Sequence, residues 1–342
     1  NVPANEFLNL EGQKLSTSKN WAVWLHEYLE AFPDQQDLLR YTLTANAPES
    51  KDNDFTWKDF QARNNNELVA ILGNFINRGV VLTQKYYQGK VPSPGHLEAI
   101  DLETLAALKE FPATIANSLE KYRFREASGI LMQVARLGNK YLADNEPWKL
   151  IKTDPKRVET IMYVSLQIAA ALAVLSEPFL PFTANKLNEM LHLAPLNLSW
   201  KDVAEKEALL PSGHIINEAQ LLFRRIEDSE IDAQLEKLNQ TKIDNAAMET
   251  TVVPQKETSS FEDFSKLDLR TGTILAAEKM PKAKKLLVLQ VQTGLDTRTI
   301  VSGIAEHFSP EEVVGKKVTV LVNLAPRALR GVESQGMILK TE

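Results

Sequence analysis

The feature that most limits what this chain can fold into is a change of hydrophobic period along its length. From Trp57 to about Arg225, apolar residues recur at helical spacing in long segments, over 64–87, 102–122, 128–145, 157–176 and 183–193. After Phe261 the pattern turns to short β-branched runs, TGTILAAEKM, KLLVLQVQTG, TRTIVSGI and KKVTVLVNL, separated by turn residues. A helix buries a stripe of period 3.6 whereas a strand alternates with period 2, so one layer cannot serve both stretches. The spacing therefore predicts an all-α antiparallel bundle followed by an all-β barrel or sandwich. A chain of 342 residues is long enough for both cores.

Around these two stretches the pattern is less regular. Residues 1–56 form a short mixed α/β connecting segment, with an amphipathic helix predicted over 21–29 and ended by Phe32 and Pro33. Residues 57–225 are the helical domain. Residues 226–260 hold a charged helical run, EDSEIDAQLEKLNQTK, and then AAMETTVVPQKETSS, which has little to bury and is expected to be a linker. Residues 261–342 are the β domain.

Composition narrows the chemistry. The chain has no cysteine, which excludes disulfides and thiolate zinc sites built from it, and no signal peptide is evident, so a cytoplasmic address is expected. No apolar run approaches the roughly 18 residues of a membrane span, and a soluble protein without membrane partners is expected. Five scattered histidines show no metal-ligand spacing, so no metal is expected in this chain. The net charge of −6 argues against indiscriminate nucleic-acid binding, although residues 259–342 carry +2 while the rest carries −8. Any contact with nucleic acid must use local patches.

Three groups of residues stand out. In the β domain Lys266, Arg270, Lys282, Lys284, Lys285, Arg327 and Arg330 fall at strand ends and in loops, without the interleaved aromatics on which single-strand binders stack bases. That pattern suits phosphate and shape recognition, and solvated loop cations would give it too. In the helical domain Leu68, Leu72, Phe75, Ile76 and Val80 form one apolar stripe, and Asn74 and Arg78 lie one turn apart and away from it. An Asn amide can read the edge of an unstacked base and Arg can bond or stack on one, while an ordinary polar helix face presents the same pair. Trp148 follows Pro147 at a predicted helix start, where it could pack or offer its flat face to a base. The third group is KLSTSK, Lys14 to Lys19, which alone is only a Lys/Ser-rich loop.

Together these stretches resemble a known family. The string FSKLDLRTGTILAAEKMPKAKKLLVLQVQTG with VNLAPRALRGVESQGMIL resembles the tRNA-binding OB-fold module attached to bacterial methionyl-tRNA synthetases. DNDFTWKDFQARNNNELVAILGNFINR, with LLRYTL before it and DNEPWKLIK after it, resembles the anticodon-binding domain of that family and its connecting segment. KLSTS looks like the family's KMSKS loop.

The resemblance implies a class I methionine–tRNA ligase working through methionyl-adenylate with ATP and magnesium, and methionine tRNA as partner. Asn74, Arg78 and Trp148 would meet the CAU anticodon, and the basic residues of the β domain would grip the tRNA body. Lys14, Ser16, Ser18 and Lys19 would contact ATP phosphates; Thr17 stands where the family has its second lysine, and Lys19 is expected to supply that charge. The family's HIGH-bearing half with its zinc insert is expected before Asn1, and the segment completing the barrel and a homodimer contact after Glu342, so the chain is expected to be inactive alone. Two alternatives stay open at this point. One is another class I synthetase, for isoleucine, leucine or valine, against which the Asn74, Arg78 and Trp148 set counts. The other is a non-enzymatic tRNA-binding or synthetase-assisting protein that kept the helical domain and barrel and lost catalysis.

Overall fold

A computed structural model describes residues 4–249, 256–281 and 283–339. The chain divides into two compact units, Asn1–Thr251 and Val252–Glu342. The first begins with a small sheet in which β1 (Leu8–Leu10) lies between β2 (Gln13–Lys14), antiparallel, and β3 (Asn53–Phe55), parallel. Helices α1 (Leu25–Ala31) and α2 (Gln36–Ala45) lie between β2 and β3 in the chain. The helix expected over 21–29 starts only at Leu25, because Trp21 exchanges two backbone hydrogen bonds with Ser16, at 2.8 and 2.9 Å.

Next comes α3 (Trp57–Arg63), capped by the Thr56 hydroxyl, which accepts from the Asp59 amide. It passes through a π-helical stretch, Asn64–Gly73, into α4 (Asn74–Tyr87). The wider turn shows in the Asn74 amide, which reaches back five residues to the Val69 carbonyl. The apolar stripe survives it, with Leu68, Leu72, Phe75, Ile76 and Val80 all buried.

The bundle continues with α5 (Ala99–Glu120), α6 (Phe124–Asn145), the single turn α7 (Pro147–Leu150), α8 (Pro155–Leu175), α9 (Pro181–Met190) and α10 (Trp200–Glu205). Helix α8 corrects one expectation. It is long and apolar enough to cross a membrane, with a mean hydropathy of 1.8, yet 94% of that stretch is buried inside the bundle. It is the central helix of the core, and α4, α5, α6, α7, α9 and α10 all pack on it. The charged run that sequence assigns to a linker forms α11 (Asp228–Glu249), whose Ile231 and Leu238 are buried in the same core. Its apolar positions are few: Ile231 and Leu238 are buried, Leu235 packs partly against the core, and Ile243 stays exposed.

In the second unit, α12 (Phe261–Ser265) precedes β4 (Leu269–Lys279), β5 (Leu287–Gln292), β6 (Thr297–Ser302), the turn α13 (Pro310–Val313), β7 (Lys317–Leu321), β8 (Arg327–Leu329), β9 (Val332–Ser334) and β10 (Met337–Leu339). Five strands form an antiparallel sheet in the order β10-β7-β4-β5-β6, and β8 pairs with β9. Alternation is clearest in β5, where Leu287, Leu289 and Val291 face a core shared with Ile274, Ile300 and Val320. A bulge between Ile274 and Ala276 bends β4. After β7 the chain returns to the opposite edge: Gln335 donates its amide to the Thr299 carbonyl (2.8 Å), and Ser334 Oγ accepts from the Val301 amide (3.0 Å). The sheet is thereby curled as the expected barrel requires.

One buried polar network ties three helices of the first unit. Asp101 of α5 is fully buried and accepts both guanidinium nitrogens of Arg157 on α8, at 2.5 and 2.9 Å, and the Tyr141 hydroxyl of α6 at 2.5 Å. Arg157 also donates to the Asn145 side chain at 2.7 Å. Burial alone would raise the Asp101 carboxyl, but the hydrogen bonds from Arg157 and Tyr141 outweigh it and hold the group below its ordinary range. Asp101→Asn leaves the largely buried Arg157 guanidinium with only the exposed Glu98 carboxylate, at 3.4 Å, as a charged partner and is expected to cost about 3 kcal/mol of stability at neutral pH. Because the folded carboxyl titrates below its unfolded value of about 3.9, its contribution is complete above that value and is lost as pH falls through the folded one. Denaturant unfolding at several pH values should show wild type and variant separated by a constant gap down to about pH 5 that closes further into acid; a gap independent of pH would contradict this.

Candidate nucleic-acid interface

The corner between α6 and α7 presents Trp148. Helix α6 ends at Glu146 in the left-handed conformation (φ 42°, ψ 53°), and Pro147 opens α7, where its missing N–H removes no hydrogen bond. The indole that follows is 38% exposed, although Pro147 itself is buried. Across from it on α4, the Arg78 guanidinium lies 5.5 Å from the centre of the Trp148 ring, within cation–π range. Asn77, Val81 and Leu82 complete a depression of 260 Å³ around this pair.

Asn74 stands one turn before Arg78, at the junction of π-helix and α4. Its amide nitrogen is 3.5 Å from the Asn139 side-chain oxygen, and Asn139 donates in turn to the Ile71 carbonyl (2.8 Å) and the Ala135 carbonyl (3.1 Å). The helices come this close because residue 138 is glycine: a Cβ there would sit 2.4 Å from the Phe75 ring. Among the described residues the Asn74 side-chain carbonyl has no hydrogen-bond partner. Asn74 and Asn77 also line a neighbouring depression of 490 Å³ with Asn66, Gln220 and Arg225. Arg78 and Trp148 thus share one depression, and Asn74 lines the neighbouring one, with Asn77 common to both.

The four residues expected at the signature loop share a single turn. Lys14 ends β2, with its ammonium 5.5 Å from the Phe7 ring centre, and is exposed. Ser16 is held by its two backbone bonds to Trp21, and its hydroxyl is 3.2 Å from that of Ser18. Lys19 is exposed; its carbonyl accepts from Asn245 of α11 at 2.7 Å. Beside the turn lies a largely apolar cavity of 720 Å³ lined by residues that include Leu15, Ser16, Thr17, Ser18, Trp24 and Phe55.

In the β unit, among the described residues, Lys266, Arg270 and Lys285 are engaged with carboxylates. Lys266 meets Asp263 at 2.8 Å, Arg270 meets Asp268 at 2.9 Å, and Lys285 meets Glu306 at 3.1 Å. All three pairs are substantially exposed, where such contacts are weak and exchange readily. Lys284 and Arg327 are exposed and, among the described residues, have no ion-pair partner. Arg330 (φ 50°) and Gly331 (φ 88°) turn the chain between β8 and β9. Lys282 lies outside the described residues.

A family model for the anticodon binding domain of methionyl tRNA ligase matches residues 91–242, one for class I (M) tRNA synthetases matches 1–80, and one for a putative tRNA binding domain matches 269–342. A methionine–tRNA ligase of Flavobacterium psychrophilum is 70% identical over 341 residues, covering 100% of this chain and 50% of that protein. One from Christiangramia forsetii is 68% identical over 346 residues, with the same coverage. The chain belongs to the methionine–tRNA ligase family. It spans about half the length of the relatives it matches. Among solved structures, Mycobacterium tuberculosis methionyl-tRNA synthetase in complex with methionyl-adenylate aligns at 26% identity and a TM-score of 0.60, over 65% of this chain and 43% of that one.

Sequence reading missed Asn139 and Asn77. Asn77 could have been found, since it is the polar residue between Asn74 and Arg78. Asn139 carries no local signal, because its role arises only where α6 crosses the π-helical stretch. The Asn245 contact was missed for a similar reason: it needs α11 to reach the turn at Lys19, far from it in sequence.

Proposed function

We propose that this chain binds methionine tRNA through its anticodon and, with the remainder of a full-length ligase, serves the ATP-dependent attachment of methionine to that tRNA through methionyl-adenylate. The observation that carries the reading is the Arg78 guanidinium over the exposed Trp148 ring, one turn from an Asn74 whose side-chain carbonyl is free. The arrangement offers a stacking face, a cation and an amide edge to splayed bases. Membership in the ligase family and the match to its class I (M) model support methionine over the isoleucine, leucine or valine enzymes.

Lys14, Ser16, Ser18 and Lys19 would serve the activation step. As a methionine carboxylate oxygen attacks the α-phosphorus of ATP, the bond to the leaving pyrophosphate breaks and negative charge collects on it. Two exposed lysines on one turn are suited to stabilise that charge. Magnesium would arrive with the nucleotide, and zinc would belong to the part of the ligase outside this chain. Lys266, Arg270, Lys284, Lys285, Arg327 and Arg330, with Lys282, would hold the tRNA body through its phosphates. Two modest sites on one chain reinforce each other through effective concentration, so the β unit can raise affinity without reading a base. The cytoplasm is the proposed location. A homodimer through the β unit is supported by the half-exposed Met337 and Leu339 on edge strand β10.

In the full-length ligase, Trp148→Ala is expected to reduce charging of methionine tRNA by at least about tenfold, the worth of one lost base-stacking contact. Methionine-dependent ATP–pyrophosphate exchange should stay near wild type, and equal losses in both assays would count against an anticodon role. Replacing Lys284 and Arg327 with Ala should weaken binding alike for tRNAs of any anticodon and reduce the slope of log K against log salt by about 1.5. A defect confined to methionine tRNA would refute the proposed role of the β unit.

A further inference from the structure

We infer that one face of α6 is a track for the phosphodiester backbone of the same RNA whose bases meet Asn74, Arg78 and Trp148. The inference rests on the proposed tRNA role and adds a site to it. Arg125, Gly129, Met132 and Arg136 follow one another at steps of four, three and four residues, so they share a face of the helix. Together with Tyr41, Arg63 and Glu67 they line a groove of 380 Å³. At 1.5 Å of rise per residue, Arg125 and Arg136 stand about 16 Å apart along the axis, room for several consecutive phosphates of one strand.

The charges in this groove are unequally engaged. Glu67 accepts from the Tyr41 hydroxyl and lies 3.8 Å from Arg63, and Glu126 is 3.5 Å from Arg123. Arg63 also bonds Asp59 at 2.7 Å and the Asn46 side chain at 3.0 Å. Among the described residues, the side chains of Arg125 and Arg136 have no ion-pair or hydrogen-bond partner, and both are exposed. Two unengaged guanidiniums in one groove, in the part of the chain that carries −8, are a local exception to the charge around them. The planar fork of Arg matches phosphate bidentately, which suits it to this task.

Gly129 fits the same reading. It is exposed, a Cβ at this position would meet nothing within 4 Å, and packing therefore does not require a glycine there. Its lack of a side chain leaves the wall between the two arginines open to a close-lying backbone. One step further along the same face, three residues after Arg136, comes Asn139, which touches Asn74. The groove therefore leads into the proposed base-binding surface. At its other end the Arg125 amide is held by the Glu49 carboxylate at 2.8 Å.

The test uses the 342-residue chain, titrated with methionine tRNA and with the same tRNA carrying a changed anticodon, at several salt concentrations. The double variant Arg125→Gln/Arg136→Gln should bind methionine tRNA about tenfold more weakly, with a salt slope smaller by about 1.5 and an unchanged preference for the matching anticodon. Gly129→Glu, which places a carboxylate in the gap, should also weaken binding, whereas Gly129→Ala should not. Thermal unfolding of all variants should stay near wild type, since the side chains are exposed. Wild-type affinity and salt slope in both the double variant and Gly129→Glu would overturn the track, as would a loss limited to anticodon preference. A wild-type chain that ignores the anticodon would instead overturn the tRNA reading on which the track rests.

Discussion

The hydrogen-bonded Arg157–Asp101 pair is the interaction on which the proposed base-binding surface depends. It joins α5 to α8, and through Tyr141 and Asn145 it holds the end of α6 as well. The chain between Asn145 and Arg157 is the corner that presents Trp148, so the network sets where the indole stands. An exposed indole on a short turn would otherwise sample many positions and lose entropy on binding a base. With both ends of the corner tied down, that cost is met during folding.

The opposing wall is positioned by different means. Arg78 belongs to α4, which packs on the central helix α8, and the Gly138–Phe75 contact sets its distance from α6. The π-helical stretch just before α4 adds one residue to a turn, rotating all that follows relative to α3. Asn74 is the first residue after it. Such wide turns are frequent at functional sites, and here the turn leaves the Asn74 carbonyl free while Asn139 holds the amide end.

Much of this was legible in the sequence. The switch from period 3.6 to period 2 located both folds, and the four β-branched runs became β4, β5, β6 and β7. Asn74 and Arg78 could be put on the polar side of their helix because Leu68, Leu72, Phe75, Ile76 and Val80 marked the other. What was not legible depends on partners distant in sequence. The Asn139–Asn74 contact, the groove beside α6 and the docking of α11 arise only where elements cross. Helix α8 was underestimated for a different reason: Glu159, Ser165 and Gln167 interrupt any unbroken apolar run, although the helix as a whole is apolar enough to span a membrane. The pairing of Lys266, Arg270 and Lys285 with Asp263, Asp268 and Glu306 likewise needed the fold, because counting charges cannot show which of them meet.

Anticodon bases are predicted to lie against the Arg78 and Trp148 side chains. The most direct measurement is photo-crosslinking of the full-length ligase to methionine tRNA with a thionucleotide in its anticodon, followed by peptide mapping. Crosslinks are predicted in the peptides carrying Asn74 to Arg78 and Glu146 to Leu150. Crosslinks confined to the β unit, or to any surface lacking those residues, would contradict this placement.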